Sequence, residues 1–213
     1  RETVELVVSC LLAGGHTLIE DVPGVGKTLL AKSLARSIDC SFQRIQFTPD
    51  LLPSDVTGVS VWDREAGDFI FRPGPVFANV ILGDEINRAS PKTQAALLEA
   101  MEERQVTVDG TTRTLGPPFI VIATQNPVTQ TGTFPLPESQ LDRFLMRIEL
   151  GYPEPDAERE LLRGGDKRRE LDSLAAQLDA DGLLALQNAV DDIRVSDPLI
   201  EYIQRLVAHS RHG

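Results

Sequence analysis

The chain has 213 residues, 41% hydrophobic and 25% charged, enough to bury one good core and a small second one. A formal net charge of −11 would repel a nucleic-acid backbone, and no local basic patch offsets it, so partners are expected to be proteins. No apolar run approaches the roughly 20 residues that a membrane-spanning helix needs, and no targeting signal is visible.

Along the chain, strands and helices alternate. The opening RETVELVVSCLLAGG reads as an amphipathic helix with Val4, Val7, Val8, Leu11 and Leu12 on one face. HTLIE follows as a short strand, and Leu30, Leu34 and Ile38, at fourfold spacing, make the apolar face of a second helix. SFQRIQF reads as a second strand, and NVILGDE as a third whose unbroken apolar centre suits burial on both faces. Ser90-Pro91 supplies an N-cap and a first-turn proline to a helix over PKTQAALLEAMEER, with Leu97, Leu98 and Met101 turned inward. QVTVDGTTRTL is an alternating hairpin turned at Asp109-Gly110, FIVIATQN a fourth buried strand, and LMRIEL, after a short helix around Leu141, a fifth. The pattern predicts an α/β fold with a five-stranded parallel sheet over residues 1–151. From Tyr152 only helical periodicity remains, including Leu199, Ile200, Ile203, Leu206 and Val207 after the cap Ser196-Asp197-Pro198. Residues 152–213 are therefore expected to form a small all-helical domain.

Between the first strand and second helix lies DVPGVGKT, close to the phosphate-loop template G-x-x-x-x-G-K-[ST] but with Asp21 in the first glycine slot. Such a loop curls backbone N–H groups around phosphates, and Gly24 and Gly26 flank Val25 at the bend where side chains would block that approach. Lys27 is expected to meet the β and γ phosphates, Thr28 to offer its hydroxyl to Mg²⁺, and the helix start to present its positive end to the same anion. The expected nucleotide contacts are Pro23, Gly24, Val25, Gly26, Lys27, Thr28 and Leu29. At the end of the third strand, Asp84 would complete the Mg²⁺ shell through water while Glu85 orients and deprotonates the attacking water. Asn126, at the end of the fourth, would hold that water or the γ phosphate; a simple Asn-Pro turn is the alternative.

The two cysteines, Cys10 and Cys40, lie at helical positions without metal-like spacing, which fits small core residues in a reducing, cytoplasmic compartment. The three histidines, His16, His209 and His212, pair with no carboxylate or cysteine cluster and read as ordinary residues.

The stretches DVPGVGKT, ILGDEINRASPKTQAALLEAMEERQVTVDG, IVIATQNP and FPLPESQLDRFL, in this order and spacing, resemble the MoxR family of AAA+ ATPases. In that family an acidic residue commonly stands in the place of Asp21. The resemblance covers the ATPase core almost end to end and implies an AAA+ P-loop core with inserted β-hairpins and a helical lid. It implies Walker A for the glycine loop, Walker B for Asp84-Glu85, sensor 1 for Asn126, and an arginine finger reaching a neighbouring subunit for Arg143. A local salt bridge to Asp142 or Glu138 is the alternative for Arg143. The family's inserted hairpin would fall on residues 56–74 and its second hairpin on QVTVDGTTRTL, both facing the pore of a ring. Trp62 would then touch a client or pack on Phe69 or Phe71.

The resemblance further implies ATP and Mg²⁺ as cofactors, a homo-oligomer in the form of a hexameric ring, and remodelling of client proteins, von Willebrand-type metal-binding domains among them. A magnesium-chelatase-like or DNA-associated motor is the alternative. A nucleotide switch is disfavoured, since no N-K-x-D guanine signature occurs. The sequence starts at Arg1, without the upstream segment that helps hold adenine, and stops at Gly213, before the family's sensor 2 arginine; a fragment is expected. Arg205 and Arg211 lack that motif and receive no such role.

Overall fold

The structure is a computed structural model that describes residues 2–20, 26–126, 132–152 and 173–212, together with 156, 158, 159 and 171. Five parallel strands form the central sheet: β1 (Thr17–Glu20), β2 (Phe42–Gln46), β5 (Val80–Asp84), β8 (Ile120–Gln125) and β9 (Met146–Ile148). Their order across the sheet is β2-β5-β8-β1-β9, and every pairing is parallel. The chain leaves β1 for the far edge, returns stepwise to β8, and then crosses to the other side of β1. Adjacent crossovers therefore diverge at β1 and β8, and the strand ends there open the crevice in which parallel α/β sheets bind ligands.

Helices cover both faces because the central strands are apolar on both. Ile81, Val121 and Ala123 face a cluster closed by Leu97, Leu98 and Met101 of α4 (Pro91–Glu103). Val80, Leu82, Ile120 and Ile122, one residue out of phase, face a second cluster with α1 (Glu2–Leu12) and α2 (Lys27–Ser37). Each fully buried leucine or isoleucine contributes about 1.5–3 kcal/mol by leaving water. Gly83 lets α4 approach the sheet, since a Cβ there would lie 3.2 Å from Leu97 Cδ2 and 3.4 Å from Phe47 Cε2. Ser90 caps α4 as expected, its hydroxyl accepting the Thr93 N–H at 3.3 Å.

The apolar face expected of the first helix is buried unevenly. Val7, Cys10 and Leu11 are buried, whereas Val4 and Val8 are exposed. The inward stripe runs through i, i+3 and i+4 from Val7, and Val8 sits one residue, about 100°, further round. All five expected residues, Val4, Val7, Val8, Leu11 and Leu12, line one apolar hollow of about 270 Å³ with Leu30, Leu34 and Leu178.

Two hairpins leave the core. The first pairs β3 (Gly58–Asp63) with β4 (Asp68–Pro73) and follows the short helix α3 (Pro53–Thr57). In it Trp62 packs edge-on against Phe69 at 5.2 Å, which matches the intramolecular alternative. The second pairs β6 (Gln105–Val108) with β7 (Thr111–Thr114), turning at Asp109 (φ 51°) and Gly110 (φ 73°), the two left-handed positions of a type I′ turn. Arg113 lies over the Phe71 ring at 3.9 Å and joins the two hairpins.

Past the short helix α5 (Glu138–Leu141) and β9 come α6 (Ala180–Asp191) and α7 (Asp197–His212). Leu183 of α6 is fully buried with the α1–α2 cluster, and the Gln177 and Leu178 amides donate to the Ser37 carbonyl. Leu199, Ile200, Ile203, Leu206 and Val207 of α7 are exposed. Among the described residues, no helix is long and apolar enough to cross a membrane.

His16 belongs to the core. Its Nδ1 accepts the Val121 N–H at 3.0 Å, which leaves the proton on Nε2, 3.4 Å from the Met101 carbonyl. Burial, with the Arg104 charge adding to it, lowers its pKa to about 4. The unfolded chain thus binds a proton that the folded chain refuses, so this contribution is complete above about pH 6.5 and is lost as pH falls towards 4. On the order of 3 kcal/mol is at stake over that window. Urea midpoints should fall more steeply between pH 6.5 and 4 in the wild type than in His16→Gln; parallel profiles would exclude the effect.

Candidate functional site

The site is built on the carboxyl ends of β1, β5 and β8. Glu20 lies opposite Gln125, and Gly83 opposite Ala123, so the segment after Glu20, the Asp84-Glu85 pair and Asn126 leave the sheet at one edge. Gln125 Nε2 donates to Glu20 at 3.2 Å and Arg147 of β9 pairs with the same carboxylate, fixing the strand end from which the glycine loop departs.

Asp21, Pro23, Gly24 and Val25 lie outside the described residues. Gly26 caps α2 with φ 92°, a left-handed conformation that disfavours side chains. Gly26 has no side chain with which to cap the helix, whose leading N–H groups and positive dipole end are the elements of an anion site. Lys27 is buried at the first helical position, Thr28 half-buried behind it, and Leu29 exposed.

Asp84 is buried and held from two sides. The Thr124 hydroxyl donates to its Oδ1 at 2.7 Å, and Arg44 of β2 donates to its Oδ2 through Nε (3.1 Å) and a terminal nitrogen (2.5 Å). Glu85 sits at φ 57°, ψ 47°, left-handed for a non-glycine residue, at a cost of about 1–3 kcal/mol. Its Oε1 accepts from Asn126 Nδ2 at 2.9 Å, and its Oε2 from Gln46 (3.2 Å) and Arg88 (2.9 Å). Asn126 is itself buried, and the Asn87 amide donates to its carbonyl at 3.1 Å, while Asn87 Oδ1 has no hydrogen-bond partner among the described residues.

Asp84, Glu85 and Asn126 therefore come together. Arg143 does not join them. It follows α5 and pairs with Glu102 of α4 at 2.6 Å, rather than with Asp142 or Glu138, beside a groove of about 460 Å³ that Glu99, Glu103 and Gln140 also line. Sequence reasoning passed over Arg44, Gln46, Arg88, Asn87 and Thr124. A signal existed for three of them: Arg44 and Gln46 alternate on one face of β2, and Thr124 shares a face of β8 with Asn126 two residues on.

The donor set suits a small hard cation bound with phosphate. One buried carboxylate and one hydroxyl at a helix start leave the other positions to phosphate oxygens and water, as Mg²⁺ requires. Three donors already occupy the Asp84 carboxylate, so the expected reach through a bound water fits better than direct chelation.

A parallel sheet in this order, with a helix start suited to an anion after its first strand and paired carboxylates after β5, one strand removed across β8, has the arrangement of a P-loop nucleotide-binding core. Residues 16–146 match the ATPase family associated with various cellular activities (AAA), and the chain belongs to it, in its MoxR-type branch. It is 52% identical over 211 residues to the uncharacterized protein YeaC of Bacillus subtilis, covering 99% of this chain and 66% of that one. It is 44% identical over 211 residues to Chaperone MoxR1 of Mycobacterium tuberculosis, covering 99% of this chain and 55% of that one. A solved structure of a protein from Cytophaga hutchinsonii superposes with a TM-score of 0.83 at 42% identity, covering 97% of this chain and 62% of that one. The chain thus spans between about half and two thirds of the length of these relatives. Membership of the family implies nucleotide binding and ATP hydrolysis.

Proposed function

We propose that the chain is the ATP-hydrolysing core of a ring-forming machine that remodels, matures or activates partner proteins in the cytoplasm. The observation that carries the hydrolytic reading is the pair Asp84 and Glu85, held by separate donors at the strand edge where the glycine loop begins. In this reading Lys27 and the N–H groups of α2 bind the phosphates, and Thr28 and Asp84 would hold Mg²⁺, which supplies charge neutralisation at the β and γ phosphates. Glu85 takes the proton of the attacking water, and Asn126 holds Glu85 in register through its amide. Arg143 reaches the γ phosphate of a neighbouring subunit, and residues from 152 onward form the lid over the nucleotide. The ring, probed as a hexamer, and the clients, von Willebrand-type domains among them, are part of the same proposal; a chaperone is among the relatives.

Magnesium-dependent phosphate release from ATP, with GTP as control, tests the reading on the full chain. Absence of turnover at every protein concentration would overturn it, and DNA binding at moderate salt would favour the motor alternative. Lys27→Ala should weaken ATP binding roughly tenfold or more, the loss expected for a charge-assisted contact of about 1.5–3 kcal/mol. Calorimetry showing unchanged affinity would remove Lys27 from the phosphate site.

A further inference from the structure

Among the described residues, Thr124 is the one fully buried hydroxyl that touches both acidic positions, and no role for it follows from the motifs. The β5–β8 ladder ends at Gly83 opposite Ala123, which places Thr124 level with Asp84 on the neighbouring strand. Its Oγ1 donates to Asp84 Oδ1 at 2.7 Å and accepts the Glu85 N–H at 2.9 Å. That N–H would otherwise be stranded, because Glu85 turns into the left-handed region at φ 57° and leaves the ladder. A single hydroxyl therefore replaces the next ladder bond and at the same time aims a carboxylate.

We propose that Thr124 is a positioning residue that couples the orientation of the Asp84 carboxylate to the backbone conformation that presents Glu85. The inference rests on the reading of Asp84 as the metal-side carboxylate and Glu85 as the base. The residue type fits the task. Valine would keep the shape and lose both bonds, whereas serine would keep both and lose only a methyl group. A hydroxyl can also serve as donor and acceptor at once, so its bond to the ionised carboxylate strengthens its hold on the N–H. Two residues further along the same face, Asn126 holds the Glu85 side chain. β8 thus grips Glu85 at its backbone and at its carboxylate, and both grips are needed to define where the base points.

The test compares Thr124→Val and Thr124→Ser in the full chain, alone and combined with Glu85→Gln, by steady-state turnover, Mg²⁺ titration of ATP binding, and thermal melting. Thr124→Val should lower turnover by about 10- to 100-fold through loss of a charge-assisted bond and of the Glu85 anchor, and raise the Mg²⁺ needed for half-saturation several-fold. ATP affinity at saturating Mg²⁺ should change by less than about threefold, because the phosphates are held elsewhere. Thr124→Ser should recover turnover to within about threefold of wild type, and at saturating Mg²⁺, where the Asp84 effect is offset, adding Thr124→Val to Glu85→Gln should cost less than about threefold more, since the remaining effect acts through Glu85. If the valine variant does not fold, Thr124→Ala carries the same expectations. Undiminished turnover in the folded valine or alanine variant, no recovery with serine, or a full additional loss in the Glu85→Gln background at saturating Mg²⁺ would each overturn the proposal. A wild-type chain without ATPase activity would instead overturn the underlying reading.

Discussion

Glu85→Gln is expected to leave ATP bound while turnover falls by about 10² to 10⁴, the usual worth of a positioned general base. The substitution keeps size and removes only basicity. Glu85 lies at the open end of the β5 edge, with its Oε1 accepting one bond, from Asn126, and a lone pair left for a water. Asp84 is placed differently: it is buried, its Oδ2 is filled by Arg44, and its remaining capacity is on Oδ1. Asp84→Asn should therefore weaken Mg²⁺-dependent binding, and the contrast between adjacent residues is what the experiment reads. Calorimetry and phosphate release on both variants decide it. A Glu85→Gln protein that lost binding and turnover together would move Glu85 into the metal shell.

Arg143→Ala should cost on the order of 10³ in turnover if the guanidinium completes a neighbour's site, as arginine fingers do. Within the chain, Arg143 pairs with Glu102 at 2.6 Å, but half of the Glu102 side chain is exposed. An ion pair this open is worth about 0–1 kcal/mol, small beside the roughly 4 kcal/mol that a 10³ effect represents, so it would not hold the arginine back from a partner subunit. Turnover per subunit should rise with protein concentration. Mixtures of Arg143→Ala and Lys27→Ala proteins should recover part of the activity, because some interfaces then join an intact loop to an intact arginine. Turnover independent of concentration, with no recovery on mixing, would reduce Arg143 to the Glu102 salt bridge.

Much of the core was legible because local signals agree with the global fold. The apolar runs of β5 and β8 permit only a strand covered on both faces, and the Ser90-Pro91 cap and the Asp109-Gly110 turn each satisfy a local backbone need that their residue types meet. The apolar face of α1 was legible from its periodicity, but how deeply each residue sits was not: Val7 and Leu11 are buried against the core while Val4 and Val8, on the rim of the same face, stay exposed. The salt-bridge alternative for Arg143 named neighbours along the chain, Asp142 or Glu138, yet the arginine pairs with Glu102, distant in sequence, because α4 and the turn after α5 meet in space.

The sequence by itself determined the strand and helix periods, the parallel α/β class, and the identities of Lys27, Thr28, Asp84, Glu85 and Asn126 as candidates, since these rest on spacing and residue chemistry along one segment. Only the tertiary structure decided which groups surround them. Arg44 and Gln46 reach the carboxylates from β2, Thr124 reaches them from β8, and Glu85 takes a left-handed backbone to meet them. The physical reason is the strand order: β2, β5 and β8 are neighbours only after long crossovers, and the hydrogen bonds between their ends depend on a register that no local stretch of sequence encodes.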